Sequence, residues 1–287
     1  MSRSIITTNA LLAIALIAAA SAPAHASDLQ QETINAWDTY VRTADLRMKD
    51  RLDGKTSFLW TDESTDHKQR VGRGEIPVAP VVSHGTQKVP NGLIHHWIGG
   101  IFIPGATIDS LSTVMQDYAA YKDFYKPVVV DSKVLGCSSA DQRFWMLWQN
   151  KVLFITAAME GQYQAHHVRV NSRRGYNIAD SVELQEIENY GRAGQRLLPP
   201  GTGNGYIWRL HSISRYEERD GGVELELEVI ALTRDIPVSV RWLVNPIVNH
   251  LSINSLLTTL QQTRDALNST QSASRLNSRN DIREIAR

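Results

Sequence analysis

The sequence of 287 residues has little cysteine, no net charge and only one long apolar run. Cys137 is the only cysteine, so the chain can form no internal disulfide, and its stability must come from a hydrophobic core. Basic and acidic residues number 30 each, which leaves no global field that would favour nucleic acid or an acidic partner. These shortages exclude a disulfide-rich scaffold and give no support to a nucleic-acid-binding protein.

The one long apolar run lies at the N-terminus and has the pattern of a signal peptide. Arg3 supplies a positive charge, residues 10–20 are an uninterrupted run of 11 apolar residues, and residues 24–26 read Ala-His-Ala. The run is too short to span a bilayer comfortably, and the small residues that follow are typical of a cleavage site. No cysteine follows the site, which argues against a lipid anchor. We predict cleavage before Ser27 and export, to the periplasm or, alternatively, to the medium.

The sequence also lacks the usual catalytic and metal-binding motifs. It contains neither the G-x-S-x-G of serine hydrolases nor the H-E-x-x-H of zinc proteases. Two histidine doublets, His95-His96 and His166-His167, could contribute one inward imidazole each if they lie on strands. With His211 or a carboxylate they could bind zinc, but packed or surface histidines are the simpler interpretation. We therefore predict no metal, no cofactor and no catalytic residue.

Residues 201–205, Gly-Thr-Gly-Asn-Gly, resemble a phosphate-binding loop in composition only. The segment leads into a strand, so no helix N-terminus is available to bind an anion. We predict a flexible loop.

The order of elements indicates an α+β protein. Ile34, Trp37, Val41 and Met48 repeat at helical spacing, and Asp28 could cap that helix. Short turns between the strands favour an antiparallel sheet, with a bulge or sharp bend at Gly99-Gly100. Helices are predicted at 29–52, at 108–125 with Thr107 as its cap, and after Asn245-Pro246, and strands at 57–60, 76–82, 93–103, 128–135, 143–148, 152–159, 166–171, 181–189, 207–216, 223–233 and 238–244.

The stretch 206–267 organises the chain as a β-hairpin, a further strand and a long amphipathic helix. Taking Gly221-Gly222 as the two-residue turn pairs Arg219 with Glu224 and Arg215 with Glu228. One face of this hairpin is then apolar with a few hydroxyl groups. The other carries the charges, including Glu226, and is predicted to face solvent.

The pattern resembles the START/polyketide cyclase-like superfamily, also called the SRPBCC or helix-grip fold. Two segments carry the resemblance, 95–127 and 205–264, within a similarity that covers about Leu93 to Leu267. It implies a curved antiparallel sheet that grips a long C-terminal helix around a cavity for an apolar ligand. The expected organisation is a signal peptide (1–26), an N-terminal helix and loop extension (27–92), a helix-grip domain (93–268) and a polar tail (269–287).

The resemblance and the hairpin together predict a carrier that sequesters a lipid, isoprenoid or aromatic molecule. Aromatic side chains are also ordinary core material, so a cavity-free interaction protein stays open, as does a cyclase- or hydrolase-type enzyme on the same fold. The arginine-rich tail could make transient membrane contact, although a solvated tail is the simpler interpretation. The predicted ligand-binding residues are Trp145, Trp148, Trp208, Leu210, Ser212, Ser214, Tyr216, Leu227, Val229, Thr233, Ile253, Leu256, Leu257 and Leu260.

Overall fold

The structure is a computed structural model that describes residues 28–137, 141–152, 155–235 and 248–270. The helices in these ranges are α1 (Gln31–Leu52), α2 (Thr65–Gly72), α3 (Ile108–Gln116), α4 (Tyr121–Phe124) and α5 (248–270). The strands are β1 (Val78–Pro80), β2 (Thr86–Val89), β3 (Gly92–Pro104), β4 (Val129–Cys137), β5 (Asp141–Val152), β6 (Ile155–Arg169), β7 (Arg174–Glu188), β8 (Arg196–Leu197), β9 (Arg209–Arg219) and β10 (Gly222–Arg234).

All ten described strands belong to one antiparallel network. The main order is β1-β3-β10-β9-β7-β6-β5-β4, with β2 paired to β3 and β8 paired to β7. The register of each described strand pair is antiparallel, as the short turns predict. The prediction of an α+β protein with a large antiparallel sheet, a long C-terminal helix and an added N-terminal helix is confirmed.

The hairpin turn differs from the predicted one by one position. Arg219 pairs with Gly222, so the two-residue loop is Asp220-Gly221 and not Gly221-Gly222. Asp220 has φ 52° and Gly221 has φ 76°. A tight hairpin turn of this kind needs positive φ at both central residues, which Asp and Gly tolerate. Every cross-strand partner therefore moves by two residues, and because side chains alternate, each keeps its predicted face.

The two faces of the sheet pack against different helices. On one face, here called the concave face, β3, β9 and β10 contribute to an apolar cluster with α3 and α5. On the opposite, convex face, β3, β9 and β10 pack against α1. The 3₁₀ turn Trp60–Glu63 lies against this convex face as well. The sheet is thus covered on both sides along these strands.

The Gly99-Gly100 doublet lies where elements pack on both faces of β3. Of the predicted alternatives, a bulge or a sharp bend, the bulge does not occur. Pairing of β3 with β10 continues without a register shift through both glycines. A Cβ atom on Gly99 would lie 3.1 Å from Leu260 Cδ1 of α5, and one on Gly100 would lie 2.9 Å from Thr61 Cγ2. Two adjacent glycines therefore allow close approach on both faces of one strand.

Three local predictions were wrong. Residues 57–60 form no strand: Phe58 and Leu59 are buried in the convex cluster with α1, and Trp60 begins the 3₁₀ turn Trp60–Glu63. The helix predicted at 108–125 is divided, since Asp117 leaves helical geometry and its side chain begins a new 3₁₀ turn. Thr107 does cap α3 as predicted, whereas Gln30 and not Asp28 precedes α1.

Other predictions fall on residues outside the described ranges. They are the signal peptide, the strand at 238–244 and most of the polar tail. Residues 155–159 and 166–169 of two separately predicted strands belong to one strand, β6, and β7 begins seven residues earlier than predicted.

Candidate functional site

Most of the predicted ligand-binding residues lie on the concave face. Leu256 and Leu260 of α5 are buried against β10, where Leu227 and Val229 stay half-buried. A second apolar cluster continues along the same face of β5, β6 and β7. The first cluster includes Tyr216, Leu227, Val229, Ile253, Leu256 and Leu260, and the second includes Trp148 and Leu210.

The hydroxyl-bearing residues of the prediction share this face. Ser212 pairs directly with Val229, and Ser214 pairs with Leu227. Thr233 Oγ1 lies 3.0 Å from His95 Nε2. Leu257 of α5 is half-buried. The concave face thus combines apolar side chains with small polar groups, as the hairpin pattern indicates.

Two predicted residues lie elsewhere. The Trp208 side chain is buried in the convex cluster with Trp37 and Leu232. Phe144 points to the concave face, so the adjacent Trp145 points to the opposite one. There the Lys133 ammonium group lies 4.5 Å from the centre of the Trp145 ring. Neither indole is among the side chains that line the concave face.

The prediction missed a polar row in the middle of the concave face. Asn177 pairs with Ser214 on one side and with His167 on the other. His167 Nε2 lies 2.7 Å from the Tyr118 hydroxyl group, which belongs to the segment between α3 and α4. The predicted strand began at Ser181, so Asn177 was assigned to a loop. The only signal in the sequence is a short, weak alternation of Tyr176 and Ile178 with Gly175 and Asn177.

Three buried polar atoms on this face have no hydrogen-bond partner within the described ranges. They are Asn177 Oδ1, His95 Nδ1 and Trp97 Nε1. A buried polar atom normally has a partner, because removing it from water without one costs free energy. These atoms lie on the strand face that also carries the half-buried Leu227 and Val229. They are candidate contacts for a bound molecule.

The two concave imidazoles are held in the neutral form. Burial lowers the pKa of His95 from 6.5 to about 4. Burial also lowers the pKa of His167 to about 4, with a smaller contribution from the neighbouring His166. Neutral imidazoles donate or accept hydrogen bonds without introducing charge. The concave face therefore offers hydrogen bonding at neutral pH without a charged histidine at either position.

The glycine-rich loop is anchored to a carboxylate. Glu186 accepts hydrogen bonds from Asn204 N and Tyr206 N, both at 2.8 Å. A Cβ atom on Gly203 would lie 2.7 Å from Glu186 Oε2, so glycine allows this approach. The loop thus binds a carboxylate of its own chain. These contacts restrain the loop, which was predicted to be flexible.

The convex face contains the largest departure from the prediction. Glu224, Glu226 and Glu228 were expected to face solvent, yet all three are at most 5% exposed, and Arg215 is 1% exposed. The guanidinium group of Arg215 donates to Glu226 Oε2 at 3.2 Å and to Glu228 Oε2 at 2.8 Å. The charged side chains do point to the predicted face of the hairpin. That face is not exposed to solvent, because α1 and the turn at Trp60–Glu63 cover it.

The N-terminal extension supplies further partners to this ionic cluster. Thr61 N donates to Glu226 Oε1 at 2.7 Å, and Arg219 binds both Asp62 and Glu224. His96 bridges from Glu228, at 2.8 Å, to the Tyr40 hydroxyl group of α1, also at 2.8 Å. These contacts attach residues 40–62 to the sheet through polar side chains as well as through the apolar cluster.

The pKa values of two carboxylates in the cluster are shifted in opposite directions. Burial raises the pKa of Glu226, with the charge of Arg215 opposing it. Burial also acts to raise the pKa of Glu228, but the His96 hydrogen bond and the Arg215 charge outweigh it and hold that pKa well below its usual range. Glu228 is therefore the firmly ionised partner of Arg215.

An open depression of about 350 Å³ lies at the tip of the β9–β10 hairpin, away from the concave row. Its lining includes Thr107, Arg173, Glu218 and Gly221. Glu218 Oε2 already accepts a hydrogen bond from Ile108 N at the start of α3. The N-terminus of α3, which borders this depression, is therefore already bound by a side chain of the protein itself.

Neither a metal centre nor a membrane span is found in the described part of the chain. No group of three or more metal-ligating side chains is assembled there, so the two histidine doublets do not converge with His211 and a carboxylate within those residues. None of the helices in those ranges combines the length and apolarity needed to cross a bilayer.

Solved structures similar to this chain include lipid-transfer and aromatase/cyclase proteins. A STAR-related lipid transfer protein fragment from Xanthomonas axonopodis has 16% identity and a TM-score of 0.46, covering 67% of this chain and 98% of its own. Human STARD10 has 7% identity and a TM-score of 0.42, covering 68% and 78%. The Zhui aromatase/cyclase from Streptomyces sp. R1128 has 13% identity and a TM-score of 0.36, covering 59% and 93%. No protein-family model and no curated protein matches the chain.

Proposed function

We propose that this protein is an exported carrier that binds a hydrophobic molecule between the concave face of the sheet and α5. The observation that carries the proposal is the composition of that face. Half-buried apolar side chains such as Leu227 and Val229 lie beside buried polar atoms that have no partner in the described residues. An apolar site with a few placed polar groups is the usual make-up of a small-molecule pocket.

Apolar burial supplies the driving force for binding. Each Å² of apolar surface removed from water contributes about 25 cal/mol. The residues proposed to make this contact are Leu227 and Val229 from the sheet and Ile253 and Leu257 from the helix, all half-buried. Ser212, Ser214 and Thr233 would hydrogen-bond the polar end of the molecule, as the sequence pattern indicates.

Mass spectrometry of the natively purified, extracted protein tests the proposal directly, and we expect a co-purifying lipid, isoprenoid or aromatic compound. Titration with the neutral apolar fluorophore diphenylhexatriene gives a second measurement on the delipidated protein. Ser212→Phe, which fills the centre of the concave face, should weaken fluorophore binding at least tenfold. The matched control is Gln164→Phe, an exposed position on the opposite face of β6. A protein that carries nothing and binds no fluorophore would refute the carrier function.

A cyclase-type enzyme is the second candidate, and one contact favours it. His167 and the Tyr118 hydroxyl group form a neutral pair on the concave face, and such a pair can exchange a proton with a bound substrate. Incubating the extracted ligand with delipidated protein separates the two candidates. A carrier returns the ligand unchanged, whereas an enzyme yields a product that His167→Phe fails to form.

A further inference from the structure

We propose that the ligand is an uncharged amphiphile whose hydroxyl group hydrogen-bonds the side-chain amide of Asn177. This inference rests on the proposed carrier function and adds the chemical class of the ligand. It depends on two features of the concave face: where its charged side chains lie, and where its buried polar atoms lack partners.

Charged side chains on the concave face of the described strands occur near strand ends. Arg169 pairs with Asp109 of α3 at 2.6 Å, and Glu218 binds the N-terminus of the same helix. Glu186 is occupied by two backbone N–H groups of the glycine-rich loop. Each of these charges is thus engaged at the rim by groups of the protein itself. None remains to balance a charged ligand in the middle of the described face.

The central positions of the described strands on this face are neutral. On α5, the half-buried Arg264 donates a hydrogen bond to Gln261 of the same helix. Asn177 belongs to a cross-strand row with Leu227, Ser214 and His167. The neighbouring row contains Val229, Ser212 and Ala179. The residues of α5 that pack in the apolar cluster of this face are aliphatic: Ile253, Leu256, Leu260, Ala266 and Leu267. An ionised headgroup placed here would lose its hydration without gaining an opposite charge, which is strongly unfavourable. A hydroxyl group faces no such penalty when it finds one hydrogen-bond partner.

Asn177 provides that partner. Its side chain is only 6% exposed, and its Oδ1 atom has no hydrogen-bond partner within the described residues. An amide offers an acceptor and a donor, and a hydroxyl group can meet either one, so the match does not depend on which way the amide is turned. Aliphatic chains of the ligand would then extend over the half-buried side chains of β10 toward α5.

The test compares two polyene probes of equal chain length, cis-parinaryl alcohol and cis-parinaric acid, at pH 8, where the acid is ionised. Fluorescence titration of the delipidated, full mature protein should show at least tenfold tighter binding of the alcohol. Asn177→Ala should weaken alcohol binding about three- to tenfold, the effect of one neutral hydrogen bond. Diphenylhexatriene, which has no polar group, should bind the variant and the parent protein equally. Gln164→Ala, exposed on the other face of β6, is the matched control.

Each outcome bears on a different claim. Equal or tighter binding of the ionised acid by the parent protein overturns the uncharged-ligand inference and leaves the carrier function standing. Failure of all three probes, together with no co-purifying compound, overturns the carrier function itself. An unchanged alcohol affinity in a folded Asn177→Ala variant removes Asn177 from the site. If that variant does not fold, Asn177→Ser is measured in its place, and the two-probe comparison on the parent protein decides the charge question independently.

Discussion

Arg215 Nη1 donates to Glu228 Oε2 across 2.8 Å, and both side chains are buried on the convex face beneath the N-terminal extension. The same guanidinium group reaches Glu226, so one cation serves two carboxylates. His96 gives Glu228 a second hydrogen bond, and Thr61 gives Glu226 a backbone one. Groups desolvated to this degree stay charged only when their partners are in place. The cluster therefore makes the fold depend on the contact between the extension and the sheet.

Arg215→Met should be strongly destabilising, because it leaves Glu226 and Glu228 buried without their cation. We expect the free energy of unfolding to fall by about 3–5 kcal/mol. Urea denaturation followed by circular dichroism measures this change. Arg143→Met is the control, since Arg143 is exposed and makes one long hydrogen bond to Gln162 at 3.4 Å. A loss below about 1 kcal/mol, as for a surface arginine, would contradict the importance assigned to the cluster.

His95 should make the stability of the protein depend on pH between about 4 and 6.5. Burial lowers the pKa of His95 to about 4, whereas the unfolded chain binds its proton near 6.5. The unfolded state therefore holds more protons in this window, so stability is full above pH 6.5 and falls as the solution is acidified. The shift corresponds to about 3 kcal/mol by pH 4.

His95→Gln removes this titration and keeps a polar side chain. Urea unfolding at several pH values should show a flatter dependence for the variant than for the parent protein. Exposed His166 supplies the control His166→Gln. Identical slopes for the parent protein and His95→Gln would show that His95 is not buried in the neutral form.

Gly99→Val should displace α5 from the sheet, because the added atoms would meet Leu260 and Val78 at 3.0–3.1 Å or closer. Overpacking of this kind costs about 1–3 kcal/mol. Thermal unfolding should report the loss, and diphenylhexatriene affinity should change with it because α5 forms one wall of the proposed site. Gly136→Val is the control, since a Cβ atom there meets nothing within 4 Å. Equal unfolding temperatures for the two variants would mean that α5 does not approach β3 as described.

The predicted signal peptide gives a direct test of export. Expression of the full chain in a Gram-negative host should place a shortened protein in the periplasmic fraction, and N-terminal sequencing should begin at Ser27. Replacing Ala24 and Ala26 by bulky residues should block processing, because the peptidase requires small side chains there. If the parent chain instead accumulates in the cytoplasm at full length, the prediction of export is wrong.

The sequence was sufficient for the hairpin, its two faces and the amphipathic character of α5, because alternation and helical spacing are local properties. Even the one-residue error in the turn left every side chain of β9 and β10 on its predicted face. It was not sufficient for Asn177, whose strand begins with residues that show weak alternation. Nor could it place Trp208, which lies just before β9 and turns to the convex cluster.

What covers each face was decided only by the tertiary structure. The alternation of Glu224, Glu226 and Glu228 with leucines and valines has the same appearance whether the charges face water or another element. Residues 31–63 lie more than 150 positions away in sequence, yet they bury those charges. The reason for glycine at both Gly99 and Gly100 is likewise tertiary, because two elements approach the doublet from opposite sides of the sheet. A local pattern determines which way a side chain points, whereas its solvation depends on distant segments of the chain.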